Sequence, residues 1–160
     1  MELQITKVMR RIYQNRHGEK VTNIIEYSKE FLRTNPDGKI YIGTDSQNTR
    51  RKSVYATVIA FRYDRKGVHY IYDKRILPKI RDRFTRLWRE AEYSVEAAIY
   101  LRDNHLPVHR IELDYNKDKT AGSNMVVNAG TGYVKGMDFD VATKPDELVA
   151  TKAADHIIRH

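Results

Sequence analysis

The segment Ile40-Tyr41-Ile42-Gly43-Thr44-Asp45-Ser46-Gln47 decides the fold and points to the functional site. Its aromatic and β-branched residues follow the turn signal Asn35-Pro36-Asp37-Gly38, so it is predicted to form a buried strand. Asp45 then stands at the carboxyl end of this strand, where open α/β sheets usually place ligand sites. A carboxylate in that position is expected to bind a cation together with other acidic side chains.

Composition narrows the class of protein. The chain has 160 residues, 41% of them hydrophobic, which suffices for one domain with a core and is too short for two. Its net charge of +8 favours a polyanionic partner such as nucleic acid. The absence of cysteine excludes disulfides, thiolate zinc sites and cysteine catalysis. No membrane-span or signal-peptide pattern is visible, so a cytoplasmic protein is expected.

The pattern of apolar residues predicts an N-terminal arm or short helix over residues 1–22 and one domain over 23–160. Helical spacing begins at Asn23 and ends before Pro36, and Thr151 is the expected N-cap of the last helix. The predicted strands are 39–44, 53–63, 68–77, 108–115 and 139–143, and the predicted helices lie at 23–35, 85–103, within 122–136 and at 151–159. This order predicts an α/β fold with a mixed five-stranded sheet, three antiparallel strands then two parallel ones, and helices on both faces.

Four acidic residues stand at the ends or first turns of these elements. They are Asp45, a glutamate of the central helix, Asp114 at the end of the fourth strand, and Asp155 on the last helix. Carboxylates that share a site repel each other and raise each other's pKa unless divalent cations neutralise them. Oxygen ligands select Mg²⁺ or Mn²⁺, so either ion is the expected cofactor.

Several motifs together resemble a known family. They are Ile42-Gly43-Thr44-Asp45-Ser46-Gln47, the helix Leu87 to Leu101 with Glu90, Ser94 and Glu96, Asp114, Gly132-Tyr133-Val134, and Lys144-Pro145 followed by Ala154-Asp155. From about Asn23 onward the chain resembles the ribonuclease H-like superfamily, and more closely the YkuK-type family of RNase H-related nucleases. The resemblance implies the fold of metal-dependent phosphodiesterases and suggests a nuclease.

The resemblance also implies roles for the acids. Asp45 would bridge two Mg²⁺ or Mn²⁺ ions, Asp114 would ligate one ion and Asp155 the other, and the helix glutamate would hold a metal or the attacking water. The expected partner is RNA, DNA or a hybrid. Nucleic-acid contacts are expected from four basic residues near the site: Arg50, Arg51, Lys52 and Lys144.

Two assignments have alternatives. Glu90 shares a helix side with Leu87 and is preferred as the helix acid, while Glu92 and Glu96 remain open. Asp155 is preferred over Asp146, because Asp146 follows a proline in a connecting segment.

A different function also fits the same fold and charge. The chain could be a nucleic-acid-binding module without catalysis, since a fold does not fix a function. The presence of acids at all four places argues for the nuclease, because a pure polyanion binder would gain by losing them.

Overall fold

A mixed β-sheet with helices on both faces forms the described part of the chain. The structure, a computed structural model, describes residues 11–63, 67–115, 121–144 and 146–159. Residues 1–10 of the predicted arm or short helix over residues 1–22 lie outside these ranges. Among the described residues, no helix is both long enough and apolar enough to cross a membrane.

The strands and helices follow the predicted order, with two short strands added at the start. The strands are β1 (Tyr13–Asn15), β2 (Lys20–Val21), β3 (Lys39–Asn48), β4 (Lys52–Tyr63), β5 (Gly67–Pro78), β6 (Arg110–Leu113) and β7 (Val141–Thr143). The helices are α1 (Ile24–Thr34), α2 (Arg83–Asp103), α3 (Ala121–Gly136) and α4 (Ala150–Arg159).

The strand order across the sheet is β2-β1-β5-β4-β3-β6-β7. The strands β3, β4 and β5 form an antiparallel meander, β6 lies parallel to β3, and β7 lies parallel to β6. The predicted arrangement of three antiparallel strands followed by two parallel strands is therefore confirmed, as is the α/β class.

The predicted number of strands was wrong, because five were expected and the described residues form a sheet of seven. The additional pair, β1 and β2, is a hairpin whose first strand pairs with β5. Tyr13 is 1% exposed and joins the core, which ties this hairpin to the rest of the sheet. These strands have three and two residues, too few for a period of two to be visible in the sequence.

The two faces of the sheet carry separate apolar cores. Side chains alternate along β4, so Ile59 and Phe61 join the core beneath α1, α2 and α3, whereas Val58 and Ala60 face α4. We refer to these as the α2 face and the α4 face. Neighbouring strands keep the same alternation, and this determines which side of the sheet each polar residue of β3 and β5 occupies.

Two helices begin as the capping rules predict. The Asn23 side chain accepts hydrogen bonds from the backbone N–H groups of Ile25 and Glu26, and Asp82 accepts one from Thr85 at the start of α2. The predicted N-cap of α4 was wrong. The helix begins at Ala150, so Thr151 lies inside its first turn and Asp155 is the sixth helical residue.

Gly43 allows α4 to lie directly on β3. A Cβ atom built on Gly43 would stand 2.7 Å from Thr151 Cγ2 and 2.9 Å from the Thr151 backbone nitrogen. Both distances are shorter than real contacts allow, and one of the two atoms belongs to backbone. A side chain at position 43 would therefore push α4, and Asp155 with it, away from the sheet.

We expect Gly43→Ala to lower the free energy of unfolding by about 1–3 kcal/mol, because the added methyl group overpacks this contact. Urea unfolding followed by circular dichroism measures the loss. Gly132→Ala is the matched control, since a Cβ there meets nothing within 4 Å and alanine favours a helix. Equal stability of the Gly43 variant and the wild type would contradict the close packing of α4.

Candidate carboxylate site

Asp45 lies in β3 at the point where one of its two neighbours ends. On one side β3 pairs with β4 as far as Asn48, with Asp45 opposite Ala56. On the other side the pairing with β6 stops at Gly43. Asp45 was expected after the end of the strand, but the long β3–β4 hairpin continues the strand beyond it. Ala56 packs with α4, so Asp45 belongs to the α4 face.

Asp114 follows β6 and stands near Asp45. Gly43 pairs with Glu112 in the parallel register, so two further residues along each strand bring Asp45 and Asp114 side by side. Lys144, directly after β7, places its Nζ 2.8 Å from Asp114 Oδ1. The hydrogen bond to Asp114 raises the pKa of Lys144, and the charges of Asp45 and Asp155 add to this effect.

Asp155 comes to the same place from α4. Its Oδ1 accepts a hydrogen bond from Arg159 Nε at 2.5 Å, one helical turn further on. Burial opposes its ionisation, but hydrogen bonds from Arg159 and from the Asp45 carboxyl group hold the pKa of Asp155 below its ordinary value. Asp155 is therefore the charged member of its pair with Asp45.

Asp45 carries the proton of that pair. Burial, and after it the hydrogen bond and negative charge of Asp155, together raise the pKa of Asp45 to about 7, although a backbone hydrogen bond from Ser46 opposes them. The charge of Asp114 acts in the same direction. Asp114 and Asp155, which lie far from Asp45 in sequence, thus both act on the ionisation of Asp45.

Glu90 approaches the site from the α2 face. It is 2% exposed, and burial raises its pKa well above the ordinary value, with a further contribution from the charge of Asp45. Ser46 Oγ donates a hydrogen bond to Glu90 Oε2 at 2.5 Å and accepts one from Arg86 Nη1 at 2.8 Å. Glu90 therefore lies beside Asp45 but on the other side of β3.

The two alternative helix acids point elsewhere. Glu92 is paired with Arg89 at 3.8 Å, and Glu96 forms an ion pair with Arg75 at 3.2 Å. Besides burial, the charges of Asp45 and Asp114 raise the pKa of Glu90, which links Glu90 to the acid group.

The remaining predicted positions lie outside the acid group. Asp146, the alternative to Asp155, is exposed, and its backbone N–H donates to Thr143. Arg50 and Arg51 are exposed in the turn between β3 and β4, and Lys52 begins β4. At ~3.3 Å per strand residue, this turn is about 15 Å beyond Asp45.

A buried glutamate that the sequence analysis missed fixes the start of α4. Glu112 is fully buried, and its Oε1 accepts hydrogen bonds from the backbone N–H groups of Val149, Ala150 and Thr151 at 2.9, 2.6 and 3.2 Å. Arg110 pairs with its other oxygen at 3.0 Å. A carboxylate at a helix N-terminus satisfies orphan N–H groups and interacts favourably with the helix dipole. Glu112 thereby sets the position from which α4 presents Asp155.

The sequence contained a signal for Glu112 but none for the contact between Ser46 and Arg86. Glu112 stands between Ile111 and Leu113 in an apolar strand, where a charged residue needs a partner. Val149, which precedes α4, has no side chain that could cap a helix. Ser46 and Arg86 gave no comparable signal, because their contact joins elements forty residues apart.

The side chains of this acid group are of the type that binds a hard divalent cation. Its ligands would be carboxylate oxygens, which Mg²⁺ and Mn²⁺ prefer. Within the described ranges, however, no three acidic or histidine side chains are grouped closely enough to form a ready metal site. Instead the acids are held by protein partners: Asp114 by Lys144, Asp155 by Arg159, and Glu90 by Ser46.

Comparison with known proteins agrees with this architecture. The family model described as Ribonuclease H-like matches residues 19–159, nearly the whole chain. No curated protein and no solved structure matches. The matched span begins just before β2, runs through α4 and includes all four predicted acids. The chain therefore belongs to the ribonuclease H-like family.

Proposed function

We propose that the protein is a metal-dependent nuclease that hydrolyses phosphodiester bonds of RNA or DNA. The observation that carries this proposal is the proximity of Asp45, Asp114 and Asp155 beyond the point where β6 stops pairing with β3, with the pKa of Asp45 raised to about 7. Crowded acids cost stability, and an acid whose pKa is raised by burial and by specific neighbours is typical of a functional site. Membership of the ribonuclease H-like family and the net charge of +8 support a nucleic-acid substrate.

The residues that would hold Mg²⁺ or Mn²⁺ are Asp45, Asp114 and Asp155, with Glu90 completing the set once it is ionised. When bound, such ions activate water and stabilise charge on the phosphate oxygens. The chain's own part is to release the proton of Asp45 and to keep the four acids in place. Arg86 and Ser46 hold Glu90, and Glu112 holds the start of α4.

Lys144 is expected to compete with the cation, because its ammonium group occupies one oxygen of Asp114. We expect Lys144→Gln to tighten Mn²⁺ binding by about three- to tenfold, as measured by isothermal titration calorimetry. Lys29→Gln, an exposed lysine of α1, is the control for a general change in charge. Unchanged or weaker Mn²⁺ binding by the Lys144 variant would contradict this role.

The protein partners of the acids also favour a second candidate. A ribonuclease H-like module that binds nucleic acid without cleaving it would be expected to neutralise its acids internally, as the ion pair between Lys144 and Asp114 does. Only turnover separates the two functions, since both predict salt-sensitive binding.

The experiment that separates them is cleavage of labelled single-stranded, duplex, hybrid and branched nucleic acids by the wild-type protein. Each substrate is incubated with Mg²⁺, Mn²⁺ or EDTA. The nuclease is supported if one substrate class is cut with metal and not with EDTA, and that class names the substrate. Binding of the same substrates without any cutting would favour the non-catalytic module.

We further propose that the protein belongs to the YkuK-type branch of the family and acts in the cytoplasm.

A further inference from the structure

A groove on the α4 face of the sheet has the charge and aromatic content of a nucleic-acid contact. Its volume is about 570 Å³. Its lining residues come from the β1–β2 hairpin, β5 and α4: Arg16, His17, Tyr70, Tyr72, Lys74, His156 and Ile157. Among the described residues, this lining includes two cations, two histidines and two tyrosines and no acidic residue, so the groove suits a polyanion.

The alternation of β5 explains why these side chains share one face. Tyr70 and Tyr72 pack against the apolar core of the α4 face, and Lys74 is the next residue on that side. The intervening Ile71 and Asp73 turn to the α2 face, where Asp73 forms an ion pair with Arg75. The acidic residue of this strand is thus kept out of the groove.

The β1–β2 hairpin supplies the outer wall. Because β1 pairs with β5 at Gln14 opposite Tyr72, the turn that follows brings Arg16 and His17 to the rim of the groove. Arg16 and Lys74 are both exposed, so their charges are available to phosphate groups. This wall was not anticipated from the sequence, because the hairpin itself was not.

The tyrosines favour unpaired bases. The rings of Tyr70 and Tyr72 are half-buried, with their centroids 6.3 Å apart and their planes inclined by 50°. Bases can stack on such rings only when they are not already stacked within a duplex. Basic side chains beside the rings contact the phosphate backbone of the nucleic acid. The combination of stacking surface and cations is typical of single-strand binding.

The groove adjoins the carboxylate site. Lys74 pairs with Ala56, and Ala56 pairs with Asp45, so Lys74 and Asp45 lie on the same face two strands apart. At ~4.8 Å between neighbouring strands, this separation is about 10 Å. On the helix side, His156 directly follows Asp155. A strand lying in the groove would therefore continue to the acids.

A larger cavity on the α2 face, of about 730 Å³, is less suitable. Two of its lining residues are the acids Glu92 and Glu96, and its Arg75 is engaged by Asp73 and Glu96. Three of its described cations, Arg11, Arg75 and Arg89, are thus paired with carboxylates, and the fourth, Lys74, lines both this cavity and the groove.

We propose that the groove lined by Arg16, Tyr70, Tyr72 and Lys74 binds single-stranded nucleic acid and leads it to the carboxylate site. This inference deepens the proposed function and rests on it for the role of the strand. In this proposal the β1–β2 hairpin and β5 bind the nucleic acid, and the acids on or next to β3, β6 and α4 take part in hydrolysis.

The test is fluorescence anisotropy in EDTA with labelled oligothymidylate and oligouridylate of about 12 nucleotides. We expect Lys74→Gln combined with Tyr72→Leu to weaken binding by about 10- to 100-fold. Lys74→Gln alone should reduce the slope of log affinity against log salt by about one unit. Tyr72→Phe keeps the ring and should lose much less affinity than Tyr72→Leu, and Lys29→Gln, on the α2 face, is the net-charge control that should bind like the wild type.

The inference is overturned if the double variant, folded by circular dichroism, binds either oligonucleotide within about twofold of the wild type. A separate assay tests the proposed function independently of the groove assignment. Hydrolysis of bis(4-nitrophenyl) phosphate with Mn²⁺ by the wild-type protein tests the carboxylate site without a long strand. If binding depends on the groove but this small diester is never hydrolysed, the groove assignment stands and the nuclease fails. If the small diester is hydrolysed and the groove substitutions do not change the affinity for the oligonucleotides, the groove assignment is wrong and the nuclease proposal stands.

Discussion

Replacing Asp45 by asparagine is expected to reduce metal-dependent cleavage by at least about a thousandfold. The amide keeps the size of the side chain and removes the negative charge that a divalent cation requires. The charges of Asp155 and Asp114 both act on Asp45, which places Asp45 at the centre of the group. Initial rates of cleavage of the best substrate, at saturating Mg²⁺ and Mn²⁺, measure the effect.

The same variant should be more stable than the wild type at alkaline pH. The pKa of Asp45 is about 7 in the folded protein and near the ordinary value when unfolded, so the folded state holds the extra proton. The favourable contribution of this group is full below the unfolded pKa and is lost as pH rises through about 7. Asparagine does not ionise, so we expect a gain on the order of 2–4 kcal/mol at about pH 8 in EDTA, and no gain at about pH 4.

Urea unfolding across this pH range checks the sign. Loss of activity with a gain of stability identifies Asp45 as a functional acid that destabilises the fold. Loss of both would instead indicate that Asp45 supports the structure, and unchanged cleavage would remove it from the mechanism.

Replacing Glu112 by alanine is expected to lower the free energy of unfolding by about 3–5 kcal/mol. The change leaves the buried N–H groups at the start of α4 without acceptors and leaves Arg110 without its partner. Since α4 carries Asp155, partial loss of its first turn should also displace that acid. Chemical denaturation at neutral pH measures the effect on stability.

Two further variants separate the cap from general perturbation. Glu112→Gln keeps the shape and one acceptor oxygen, so it should lose about 1–2 kcal/mol. Glu147→Ala removes an exposed carboxylate close to the same helix and should change stability by less than about 0.5 kcal/mol. A Glu112→Ala protein within about 1 kcal/mol of the wild type would refute the capping role.

Local signals in the sequence were enough to predict the sheet that places the site. The segment around Asp45, the capping residue Asn23 and the strand-like runs after it gave the meander and the parallel crossover in the correct order. The choice of Glu90 depended only on which side of a helix it shares with Leu87, and in the structure Glu90 contacts Ser46, the neighbour of Asp45. Such features depend on neighbours a few residues apart, and the sequence displays them directly.

Features that depend on distant neighbours were not visible in the same way. The β1 strand pairs with the edge of β5, and Tyr13 is buried because this pairing brings it to the core. Thr151 was predicted as an N-cap from local rules, but Glu112 supplies the acceptors from another strand. The groove beside the acids could not be foreseen, because its wall is the β1–β2 hairpin.

The most direct test of the carboxylate site is a Mn²⁺ titration of the wild-type protein and of Asp45→Asn, with free Mn²⁺ measured by electron paramagnetic resonance. Removal of one charged ligand is predicted to weaken saturable binding by at least about tenfold. Saturable binding by the wild type that is lost in the variant would establish that these acids bind the cation. Equal Mn²⁺ binding by both proteins, or none by either, would contradict the account.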